Sequence, residues 1–195
     1  MSNAPRAART SVLAIAATMV LARSASADPI VLRAPVPRRV VAATLGTPEL
    51  SAGVWLTERF GLAVEWRLPA GAVGASAATR WTLVGDPMGW GVEYTMAAGL
   101  VVPLLTFAGG VSVTPAIVGR WRSDRVQVAA SLVSPIVLRV APDPTMRVPV
   151  LLEVWLVVHL GPANVGVQGS VGSVYVPGLS WSNAVQVSGY LGWDL

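Results

Sequence analysis

Between Val148 and Leu160 every second residue is apolar, and this two-residue period constrains the fold more than any other feature of the chain. Val148, Val150, Leu152, Val154, Leu156, Val158 and Leu160 share one phase; Glu153 and His159 fall in the other. In a strand, successive side chains point to opposite faces, so the segment carries one apolar and one mixed face. A helix would scatter the same residues around its axis. The period returns with Val165, Val167, Gly169 and Val171 set against Gly166, Gln168, Ser170 and Gly172. It returns again with Val185, Val187, Gly189, Leu191 and Trp193 against Gln186, Ser188, Tyr190 and Asp194. β-Branched residues dominate the apolar phase, as strands require.

Composition narrows where such strands can live. Of 195 residues, 53% are hydrophobic and only 12% charged, about half the charge of an ordinary soluble domain. Part of that apolar content is an address. Residues 1–11 carry Arg6 and Arg9 and no acid, Val12 to Ala22 is uniformly apolar or small, and Ala25-Ser26-Ala27 precedes Asp28-Pro29. This order reads as a secretory signal over 1–27 with cleavage after Ala27. The apolar run is too short for a spanning helix, which needs about 20 residues. A segment of 28–37 follows, expected in the periplasm. Removing Arg6, Arg9 and Arg23 leaves 11 Arg against 10 acids, and no basic cluster with interleaved aromatics remains, so no nucleic-acid partner is expected. The absence of Cys rules out disulfides, thiol nucleophiles and Cys-ligated metals.

Breakers divide the remainder into strands at 38–45, 49–57, 61–68, 79–85, 89–102, 111–121, 125–136, 147–159, 164–175 and 183–194. Tight connections, such as Glu58-Arg59-Phe60 and Gly161-Pro162-Ala163, alternate with longer ones at 69–78, 103–110, 139–146 and 176–182. No mature segment has the uninterrupted apolar length of a membrane helix. The expectation is therefore all-β: a closed antiparallel up-and-down transmembrane barrel over 38–195, with about ten strands and eight as the alternative. Pro115 and Pro149 fall inside two strands, where each removes a ladder donor.

The strand phases assign faces. Trp66, Trp81, Trp90, Trp121 and Trp193 fall on the apolar face near strand ends, where indoles form the girdles of membrane barrels. Trp55 and Trp155 fall on the inner face. Glu65, Arg67, Arg80, Glu93, Arg120 and Glu153 share that inner phase and are expected to form a charge network in the lumen. Each guanidinium fork matches a carboxylate, and unpaired the charges would be costly away from bulk water.

With its Ala25-Ser26-Ala27 exit, its turn–loop alternation and its last strand, Val185-Gln186-Val187-Ser188-Gly189-Tyr190-Leu191-Gly192-Trp193-Asp194-Leu195, the chain resembles the small bacterial outer-membrane β-barrel proteins. The resemblance implies residence in the outer membrane of a Gram-negative-type bacterium. It also implies contact with outer-membrane lipid and recognition of the last strand by the barrel assembly machinery. The family's usual end is Phe or Trp; here Leu195 is last and Trp193 stands two residues earlier. Some barrels of this size resemble proteases or lipid-modifying hydrolases. Against that, His159 is the only histidine, Ser170 and Ser131 flank it in no motif, and neither H-E-x-x-H nor an acidic calcium loop occurs. No catalytic, cofactor or metal residue is expected. The favoured role is a structural or surface-interaction barrel with a largely filled lumen. The alternatives are a narrow solute channel, a lipid-modifying enzyme and a soluble periplasmic β-sandwich.

Overall fold

The computed structural model describes residues 40–46, 49–67, 72–86, 88–103, 109–140, 145–177 and 181–194. The signal sequence read over 1–27 and the segment 28–37 lie outside the described residues. The elements are β1 (Val40–Gly46), β2 (Glu49–Trp55), β3 (Phe60–Arg67), β4 (Ala72–Gly85), β5 (Gly89–Pro103) and β6 (Gly110–Arg122). They continue with β7 (Val126–Val133), β8 (Ile136–Arg139), β9 (Thr145–Leu160), β10 (Ala163–Tyr175) and β11 (Ser182–Asp194). No helix occurs among the described residues, and none is long and apolar enough to cross a membrane.

Every pairing is antiparallel, and consecutive strands are neighbours except β7 and β8. β11 then pairs back onto β1, from Val40 opposite Asp194 to Gly46 opposite Ser188, so the sheet closes on itself. β7 and β8 both lie between β6 and β9 and form one interrupted strand. The wall is a ten-strand up-and-down barrel. The eight-strand alternative fails because β1–β3 are full members of the ring.

The interruption at Ser134-Pro135 accounts for the two strand prolines. Ser134 donates its backbone N–H to the Pro115 carbonyl (3.1 Å) and its hydroxyl to the Pro149 carbonyl (2.8 Å). In a strand, a residue's C=O and N–H point the same way, so the missing donors of both prolines face the break, where no ladder partner is left waiting. The expected single strand over 125–136 is corrected accordingly.

A second correction concerns 69–78, expected as a loop. β4 begins at Ala72 and pairs with β3 and β5 from there. Trp81 consequently lies in the far half of its strand, not near its start.

One end of the barrel is closed by tight, locally determined turns. The Thr57 Oγ1 accepts from the N–H groups of Arg59 and Phe60, and the Asp86 Oδ1 accepts from Met88 N–H. The Ser123 hydroxyl both accepts from Val126 N–H and donates to its carbonyl. Gly161 takes a φ of +69°, a conformation that side-chain-bearing residues rarely adopt. The opposite end carries the longer connections.

Candidate functional site

Burial alternates along each strand, and the polarity is inverted relative to a soluble protein. On β9, Val150, Leu152, Val154 and Leu156 are 42–51% exposed on the outer face. Leu151, Glu153, Trp155 and Val157 are at most 2% exposed and face the interior. The same inversion holds around the ring: Leu62, Val64, Leu100, Ile117, Leu132, Val167 and Val187 lie outside, while Ser51, Ser76, Ser112, Ser131, Gln127 and Gln168 are buried inside.

The interior contains a charged centre. Arg120 Nε donates to Glu93 Oε1 at 2.7 Å, and Arg80 Nε lies 3.5 Å from Glu93 Oε2. All three side chains are 5–7% exposed. One carboxylate thus bridges two guanidiniums that arrive from adjacent walls, β4 and β6, with Glu93 on β5 between them. Arg80 also lies with its guanidinium carbon 4.1 Å from the Trp55 ring centroid, a cation–π contact out of water. Trp155 meets Tyr190 edge to face, with centroids 6.1 Å apart. Trp55, Trp155 and Tyr190 belong with inward alanines and valines to one continuous buried cluster.

These bulky groups occupy the half of the lumen nearest the tight turns. Trp55 ends β2, and Arg80 N–H donates to the Arg59 carbonyl in the adjoining turn (2.9 Å). In the other half the β2–β6 wall is lined by small residues, Ser51, Gly74, Ser76, Gly99 and Ser112, and Leu151, Val174 and Ala184 form a second buried cluster on β9–β11. The Glu65 side chain lies over Gly74, where an added Cβ would come within 2.5 Å of Glu65 Oε1. Only glycine leaves room for that carboxylate. Glu65 and Glu153 are both buried and both have interaction partners, and Glu153 stands in register between Ser131 and Ser170. Of the six residues expected to form a lumen network, Arg80, Glu93 and Arg120 meet in one compact centre, and Glu65 and Glu153 are buried in the same interior. Arg67 has its backbone on β3, and its side chain lies outside the described residues.

His159 does not approach Ser131 or Ser170. Its Nδ1 bonds Asn164 Oδ1, and Asn164 Nδ2 donates to Asp194 Oδ1 at 2.7 Å. This chain ties β9, β10 and the final residues of β11 at the tight-turn end. No group of three or more metal-binding side chains occurs among the described residues.

Trp66, Trp81, Trp90, Trp121 and Trp193 all face outward, between 37% and 74% exposed. Four of them belong to the tight-turn half: Trp90 and Trp121 are register partners, and Trp81 stacks on Tyr94 with centroids 5.7 Å apart. Trp66 stands at the opposite end, as does the Tyr175–Trp181 ring pair. Strand phase had already placed these rings; the Asn164–Asp194 bond, thirty residues apart in sequence, had no local signal.

Compared with known proteins, the chain matches no family model, no curated sequence and no solved structure.

Proposed function

We propose that this chain is an integral outer-membrane β-barrel with a structural or surface-interaction role and a side-chain-filled lumen. The observation that carries the reading is the inversion of polarity. Aliphatic side chains cover the outside of the ring, and Glu65, Arg80, Glu93, Arg120 and Glu153 are buried inside it. In water, so continuous an exposed apolar surface would drive association. In a bilayer it is the required solution, because a closed sheet leaves no backbone edge to the hydrocarbon. Rings near the strand ends supply an apolar body for acyl chains and a polar tip for headgroups.

On this reading the tight turns face the periplasm and the longer connections face outward. Lipid is the principal partner, and β11 is the segment offered to the barrel assembly machinery. The reading involves neither catalysis, a cofactor nor nucleic acid: the one histidine is engaged at a strand end, and Arg80, Glu93 and Arg120 pair with each other. A narrow channel is the second reading. It is favoured by Gln168 and Ser188, register neighbours in the lumen whose buried polar atoms have no protein hydrogen-bond partner. Such groups are ordinarily satisfied by water.

Membrane fractionation with gel mobility before and after boiling tests the first claim. A protein in the membrane fraction, with faster mobility unboiled, supports it; a soluble protein with no shift refutes it. Planar-bilayer recording separates the two roles: a filled lumen gives no steady conductance.

A further inference from the structure

The outer wall is not evenly convex. Across β2 to β6 it holds a groove of about 940 Å³. Its floor is made by Ala75, Ala77 and Ala98, and larger side chains, among them Leu62, Val64 and Leu100, form its sides. Ala77 and Ala98 are register partners, so two adjacent strands present their smallest outward residues at one height. Ser76 is the only polar side chain in the lining, and it belongs to the inner phase. Whatever fills the groove is hydrocarbon.

The groove's direction selects the kind of hydrocarbon. It crosses five strands, which at about 4.8 Å per strand makes it roughly 19 Å long. One leaflet of the apolar core is about 15 Å deep. Of the groove's own strands, β2 and β3 have 7 and 8 residues, against 14, 15 and 13 in β4, β5 and β6. Seven residues at barrel tilt reach only about 18 Å of height, short of the roughly 25 Å apolar band of such barrels. A chain lying across the strands is inclined to the barrel axis, so an extended chain seated on β4–β6 continues over the β2–β3 wall, which is too low for an upright one. A second copy fits less well. A two-fold axis would set concavity against concavity, and the groove's 13 lining residues fall below the roughly 20–30 per side of a stable interface.

We infer that this groove seats one acyl chain of a membrane lipid, held in fixed stoichiometry and distinct from the bulk annulus. The inference rests on the membrane reading above. Its test is retention. The mature chain is refolded into vesicles of palmitoyl-oleoyl phosphatidylethanolamine, extracted into mild detergent, exchanged exhaustively and read by native mass spectrometry.

The wild type retains one lipid per barrel. The double variant Ala75→Leu/Ala98→Leu fills the floor without touching the lumen, and its retained fraction falls about tenfold. Ala130→Leu, at an exposed position on the outer face of β7, retains lipid like the wild type. Heat-modifiable mobility confirms folding in each case. A folded, inserted wild type without lipid overturns the site, as does equal retention in the groove variant or a lipid-free dimer. A chain that stays in the aqueous phase and never inserts defeats the membrane reading itself, a different failure.

Discussion

Glu93 is the position at which one change should do most damage. Glu93→Gln keeps the shape of the side chain and removes its charge, leaving Arg80 and Arg120 side by side with no carboxylate between them. At an effective dielectric of about 20, the 2.7 Å and 3.5 Å contacts correspond to attractions of about 6 and 5 kcal/mol. Most of that offsets desolvation of three ions and repulsion between the guanidiniums. The net loss on breaking a buried pair is about 3–5 kcal/mol. Urea unfolding in lipid vesicles, followed by tryptophan fluorescence, measures it. The triple variant Arg80→Met/Glu93→Leu/Arg120→Met should recover most of the loss, because matched apolar groups replace buried ion pairs at little net cost. A Glu93→Gln barrel weakened by less than about 1 kcal/mol would refute the reasoning. It would mean that water reaches the cluster and screens it.

Four further outcomes follow from the same geometry. Leu152→Arg places a cation mid-wall on the outer face and should cost about 2–4 kcal/mol in bilayers, read by the same unfolding titration. Its inward neighbour Leu151→Ala should instead act by opening a core cavity and cost about 2–5 kcal/mol. Trp90→Ala/Trp121→Ala removes a register-paired patch of the girdle; quenching of the remaining fluorescence by lipids brominated near the headgroup should fall, and unchanged quenching counts against an interfacial placement. Asn164→Ala cuts the link from His159 to Asp194 and should cost about 1.5–3 kcal/mol, the range for a hydrogen bond to a charged group. Exchange of backbone amides should rise at the tight-turn end of β11 before it rises elsewhere.

The strands that could be read from sequence are those with strong amplitude between their phases. In β9 the outward residues are all large and aliphatic, and β10 and β11 set valines against Gly, Gln and Ser. The start of β4 has no amplitude: Ala72-Val73-Gly74-Ala75-Ser76-Ala77-Ala78 puts small residues on both faces. Such a stretch reads as a loop, and pairing with β3 and β5 decides the matter instead. The two halves of that ambiguity have separate causes in the fold. Gly74 is small to admit Glu65, and Ala75 and Ala77 are small where the outer wall is hollowed. The partners within the charged centre were illegible for another reason. Phase tells that Arg80, Glu93 and Arg120 face inward, but the register between β4, β5 and β6 decides which side chains meet. Pro115 and Pro149 looked like defects in separate strands because their shared feature, the break at Ser134-Pro135, lies in a third.

The arrangement of bulk along the lumen bears on what the barrel can be. A uniform pore needs interior groups of similar size at every height, with charges that stay hydrated. Here Trp55, Arg80, Arg120, Trp155 and Tyr190 crowd the tight-turn half, whereas in the other half Ser51, Gly74, Ser76, Gly99 and Ser112 line one side and the Leu151–Val174–Ala184 cluster the opposite one. The guanidinium that bridges to Glu93 is the same one that lies on the Trp55 ring, so it cannot swing aside without losing both contacts at once. A mobile gate is built from groups with two comparably stable positions. This centre offers its members one position, fixed by charge on one side and a ring on the other. The centre is therefore a brace across the interior: it ties β2, a short strand of seven residues, to the long strands β4, β5 and β6.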